Sequence, residues 1–82
     1  LAKDRAMPLI EAGGGRYRVV RVSDEDSALL GWLNEKGVKI GEEYDVSDSD
    51  RAAGVLELSR RGGKRFQLGL QVAGQVFVEA LP

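Results

Sequence analysis

The chain has no cysteine and no histidine among its 82 residues. Without cysteine there is no disulfide and no thiolate metal site, which suits a reducing cytoplasm. Without histidine it lacks the commonest metal ligand and the usual general base near neutral pH. Catalysis would rest on carboxylates, lysines and tyrosines alone, so the composition argues against an enzyme. Charge of one sign is also missing: 12 basic residues stand against 13 acidic ones, for a net −1. No broad field draws the chain onto nucleic acid or anionic lipid. No apolar run reaches the roughly 20 residues that cross a bilayer, and residues 1–9 carry no signal-peptide core. The reading is therefore a non-membrane, cytoplasmic chain. It does not begin with Met, and it reads as a fragment of something longer.

What is present is one small domain, 43% hydrophobic, able to bury a thin core. Residues 1–15 read as a flexible linker or tether, with mixed charges, Pro8, and a run of three glycines at 13–15. Residues 16–22, RYRVVRV, read as a first strand whose apolar positions lose alternation at Val19–Val20, which predicts a bulge. Ser23 and Asp26 form a capping-box-like start, and Leu29, Leu30 and Leu33 keep helical spacing, with Trp32 beside them. Lys36 suits the last turn and Gly37 the left-handed position after it, so the helix spans 24–36. Further strands are expected at 43–47, 55–59, 65–68 and 75–80. A tight hairpin is expected at 60–64, and a helical turn at 70–73 ahead of a bend at Gly74. The fold class is mainly β: a small five-stranded antiparallel barrel with one helix between the first and second strands, whose closure removes exposed edges.

Few groups invite chemistry. Asp24, Glu25 and Asp26 could hold a hard cation, but helix capping explains all three. Asp45, Asp48 and Asp50 look calcium-like, yet lack the bidentate Glu and fixed Gly of a calcium loop. Arg60, Arg61, Lys64 and Arg65 form a basic cluster at a hairpin tip, with no aromatic residue in the tip to stack a base. Of the five aromatics, periodicity places most in the core and leaves Trp32 as the one expected to be partly exposed. Physics alone reaches a small non-catalytic module with Trp32, Arg60, Arg61, Lys64 and Arg65 as its candidate interaction surface.

Three segments carry a resemblance: YRVVRVSDEDSALLGWLNEKGVKIGEEYDV, GVLELSRRGGKRFQLG and LQVAGQVFVEAL. Leu29-Leu30-x-x-Leu33, Gly37-Val38-Lys39-Ile40-Gly41, Gly54-Val55 and Val72-Ala73-x-x-Val76-x-Val78 follow in order. Over residues 16–81 the chain resembles the SH3-like, FeoA-type domain found at the C-terminus of DtxR-type metal-dependent transcriptional repressors. The resemblance implies an accessory role in an iron- or manganese-dependent repressor. It implies docking in cis on N-terminal domains of the same parent chain. Operator DNA would then be met only through the parent, and Mn(II) or Fe(II) would be held by the parent rather than by this domain. In some members this domain lends a Glu and a Gln to an ancillary metal site. These positions fall near Asp26, which keeps a carboxylate, and Leu29, which has no donor. Ile40 stands where the family usually has Pro. The resemblance also implies a monomer, since dimerisation belongs to the absent domains. Residues 1–15 would be the tether, reaching roughly 20 Å as a random coil. The alternative is a free-standing FeoA-like accessory protein of ferrous-iron transport.

Overall fold

The structure is a computed structural model that describes residues 5–23, 27–60 and 63–82. The elements run β1 (Met7–Pro8), β2 (Gly15–Val22), α1 (Ser27–Lys36), β3 (Glu43–Ser47), β4 (Val55–Ser59), β5 (Arg65–Gly69), α2 (Leu70–Ala73) and β6 (Val76–Ala80). The six strands form one antiparallel sheet in the order β1-β6-β2-β3-β4-β5. All five strands expected from the sequence are present, and the single main helix lies between the first two of them.

Alternation explains the core. Tyr17 and Val19 on β2, Tyr44 and Val46 on β3, Leu56 and Leu58 on β4, Leu68 on β5, and Val76 and Val78 on β6 all face inward and are buried. They share one cluster with Leu33 of α1. Among the described residues no polar or charged side chain is buried, so apolar burial carries the stability of this core. The expected bulge is present: β2 and β6 shift register between Val19 and Arg21. Val20 is the extra residue, and after it Val22 returns opposite inward-facing Val76. Arg21 then falls on the outer face, its guanidinium 4.1 Å from the Phe77 ring centre.

Helix α1 ends as its last residues dictate. Val38 N–H donates to the Leu33 carbonyl at 2.9 Å, and Gly37 N–H to Asn34 at 3.1 Å. This is the Schellman pair, with Leu33 and Val38 both buried beneath it. Gly37 sits at φ +91°, where a Cβ is strained. The start of the helix expected at 24–26 lies outside the described residues.

The largest correction concerns the N-terminal segment. The tether expected over 1–15 is part of the fold from Met7 onward. Met7 and Pro8 pair with Val78 and Phe77 of β6. Pro8 lacks an N–H, and the outermost strand is where a sheet tolerates that. Leu9 is 0% exposed and Ala12 1%. Arg51, in the turn between β3 and β4, donates from its guanidinium to the carbonyls of Ile10 at 2.6 Å and Ala12 at 2.9 Å. Tyr17 donates its hydroxyl to the Gly13 carbonyl at 2.9 Å. A glycine-rich composition suggested a free arm, but one leucine plug and two side-chain anchors hold it down.

Barrel closure is also modified. The sheet's outer strands are β1 and β5, and they do not pair with each other. Helix α2 bridges the gap by packing on β5 and on the single helical turn Leu9–Glu11. Ala73 is fully buried, in keeping with the close passage there. Gly74, expected to supply the bend, has φ −71° and ψ −12°, which any residue adopts. The turn comes from α2 itself, through Gly74 N–H to Leu70 O at 3.1 Å and Gln75 N–H to Val72 O at 2.9 Å.

Two stability outcomes follow. Leu9→Ala lowers the unfolding free energy by about 2–5 kcal/mol in denaturant titration, as for a core leucine. A residue on a free tether would change it by less than about 0.5 kcal/mol. Gly37→Ala costs about 1 kcal/mol or more, because its backbone is left-handed.

Candidate functional site

The described face richest in exposed apolar and basic groups is built around the C-terminal half of α1. Trp32 and Leu30 are each 37% exposed, and Ile40, in the connector after the helix, is 61% exposed. Leu30 and Ile40 rim a groove of about 330 Å³, floored by Val22, Leu33 and Val38 and flanked by Asn34 and Lys39. Ile40 is the residue standing where the resemblance led us to expect Pro. Trp32 carries Lys36 over its ring, the ammonium 5.7 Å from the ring centre.

On the other side of the helix end lies a basic pocket of about 390 Å³. It is lined by Lys36, Gly37, Arg60, Gly63, Lys64 and Phe66. The β4–β5 hairpin brings Arg60 and Lys64 over the end of α1, and Gly63 N–H donates to the Arg60 carbonyl at 2.8 Å to close the turn. Arg60 also approaches Glu42 at 3.6 Å.

Tyr44 positions both walls of this pocket. Its hydroxyl donates to the Gly37 carbonyl and accepts from Lys39 N–H at 3.0 Å. Its ring meets Phe66 edge-on, with centres 6.2 Å apart. Tyr44 is 1% exposed, and burial pushes its hydroxyl pKa above the ordinary 10.0; the Lys39 hydrogen bond and the Arg60 charge oppose that shift.

The expected site residues separate into groups. Arg60 and Lys64 meet at the basic pocket, and Trp32 reaches it through Lys36. Arg65 points elsewhere, paired with Glu57 at 3.7 Å on the sheet's outer face. Arg61 and Asp26 lie outside the described residues. Sequence reasoning took Lys36 only as a helix end, did not single out Phe66, and passed over Ile40 as a site residue. The departure of Ile40 from Pro was the available signal for the apolar rim. Nothing local signals that the hairpin folds over the helix end. Among the described residues no group of three or more carboxylates comes together to hold a metal. No helix there is long and apolar enough to cross a membrane.

The arrangement suits recognition, with an apolar groove, a half-exposed tryptophan and a cationic pocket side by side. Tyr44 supplies a direct check on its construction. Tyr44→Phe lowers stability by about 1–2 kcal/mol at neutral pH, through two lost hydrogen bonds. The folded protein disfavours the tyrosinate, so the unfolded chain loses this proton first as pH rises. The stability advantage of the wild type over Tyr44→Phe is therefore full below pH 10.0 and declines above it. Paired unfolding curves measured across that range check the sign.

Comparison with known proteins places this geometry. The FeoA domain profile matches residues 7–80, and so includes the β1 segment. A search of curated proteins finds no match. Among solved structures, ScaR with bound zinc superposes with a TM-score of 0.84 at 28% identity, covering 99% of this chain and 40% of that one. The manganese regulator SloR gives 0.79 at 28% identity, covering 90% and 34%. An iron uptake regulatory protein, FeoA, gives 0.75 at 30% identity, covering 93% of this chain and 97% of that one. The chain thus spans about two fifths or less of the two regulators, and nearly the whole of the third structure. On a profile match across almost its entire length, the chain belongs to the FeoA domain family.

Proposed function

We propose that this chain is the regulatory, non-catalytic interaction domain of an iron- or manganese-dependent repressor of the DtxR type. It docks in cis on DNA-binding and dimerisation domains that precede it in the parent. The observation that carries this reading is the coverage: nearly all of the chain corresponds to about two fifths of ScaR. The groove at Leu30 and Ile40, with Trp32 beside it, is the apolar surface such docking needs. Arg60 and Lys64, at the neighbouring pocket, are the charged rim that sets orientation. Attachment to the parent chain would let the domain bind through a high effective concentration rather than a large interface.

In this reading metal belongs to the parent. Asp26 is the one carboxylate proposed to reach an ancillary Mn(II) or Fe(II) site, and it does so only with ligands from the other domains, because Leu29 offers none. Operator DNA is met only through the parent. The second reading is a free-standing accessory protein of ferrous-iron transport, favoured by the 97% coverage of the FeoA structure at 30% identity.

The test is an amide-shift titration of the labelled chain with the upstream domains supplied as a separate polypeptide. Shifts are expected at Leu30, Trp32 and Ile40, and Ile40→Glu should weaken binding by about tenfold. No shift at millimolar partner, or a coding sequence that opens just before Met7, would transfer the assignment to the transport reading. In the isolated chain, Mn(II) should cause no selective broadening at 24–26, since Asp24, Glu25 and Asp26 offer carboxylates alone and the chain has no His to complete a transition-metal site.

A further inference from the structure

We propose that the pocket between the end of α1 and the β4–β5 hairpin binds a short polyvalent phosphate. Three cations, Lys36, Arg60 and Lys64, line it, and no carboxylate is among its described lining residues. At about 390 Å³ the pocket exceeds what one phosphate fills and lies in the range of small-ligand sites. Phe66 gives it one apolar wall, while the glycines Gly37 and Gly63 leave backbone accessible to a ligand.

Two features make the pocket receptive rather than merely basic. A helix C-terminus ordinarily repels an anion through its unpaired carbonyls. Here the carbonyls of Leu33, Asn34 and Gly37 are already occupied, by Val38 N–H, Gly37 N–H and the Tyr44 hydroxyl. Part of the negative end of α1 is thus answered from within, and Lys36 adds positive charge beside it. Arg60, for its part, stands 3.6 Å from Glu42. That is an ion pair longer than a hydrogen bond, half-exposed and open to exchange for a more highly charged anion.

The surroundings select a short anion over a long one. Away from the pocket, Arg16 pairs with Asp45 at 3.3 Å, Arg18 with Glu43 at 3.1 Å, and Arg65 with Glu57 at 3.7 Å. Those arginines are already matched by carboxylates, so a long polyanion gains no continuous basic track beyond the pocket. A diphosphate or triphosphate group needs no such track. The inference does not depend on the docking reading, because the isolated chain contains every residue it uses.

The test is a titration of the labelled 82-residue chain with inorganic tripolyphosphate at low salt and at about 0.15 M salt. Amide shifts should centre on Gly37, Gly63, Lys64 and Phe66, and orthophosphate should bind about tenfold more weakly. The Lys36→Gln/Lys64→Gln double variant should weaken tripolyphosphate binding by about tenfold, and Arg16→Gln by less than about twofold. Unchanged thermal unfolding of both variants keeps the comparison free of folding effects. Equal weakening by Arg16→Gln would overturn the site. Citrate binding as tightly as tripolyphosphate would overturn its preference for phosphate. Duplex DNA binding more tightly per phosphate would overturn its preference for a short ligand.

Discussion

The hydroxyl of Tyr44 is the contact on which the functional face depends. It stands on the second residue of β3, directly across from Tyr17 in the β2–β3 register. From there it fixes the carbonyl of Gly37 and the N–H of Lys39. Two backbone groups on either side of Val38 are thereby tied to the sheet. The helix end cannot lift without unpairing a buried phenol. The same ring braces Phe66 on β5. One side chain thus sets the distance between the end of α1 and the hairpin strand, and with it the width of the basic pocket. It also holds the connector in which Ile40 is displayed.

A second constraint lies in the N-terminal segment. A chain of 82 residues with no disulfide has little apolar area to spare. Recruiting Leu9 adds a fully buried side chain at the end where β1 and β5 fail to pair. Arg51 then satisfies two carbonyls of that segment that would otherwise press against an apolar core. The N-terminal piece is therefore a plug. Leu30, Trp32 and Ile40, by contrast, stay exposed among the described residues.

Much of this was legible in the sequence. Strands β3 and β4 and the helical turn at 70–73 fall on their expected residues, because alternation and helical spacing each have one solution there. The bulge was legible because two adjacent valines cannot both face inward on a regular strand. Gly37 was legible because a helix that ends in Lys-Gly has a known backbone solution. The plug was not. Composition weighs Gly13-Gly14-Gly15 heavily, while the value of Leu9 depends on a gap that exists only once β1 and β5 are placed. Nor was the meeting of Lys36 with Arg60 and Lys64, which are more than twenty residues apart and joined only by tertiary packing. Trp32 was correctly expected at the surface, yet its neighbour Ile40 was read only as a departure from a family pattern.

The central claim is that the face at the end of α1 is made to be covered by another domain. Hydrogen exchange compared between the intact parent protein and the isolated chain tests it most directly. The account predicts slower exchange in the parent across residues 30–40, with β4 unchanged. Identical exchange over residues 30–40 in both would contradict it.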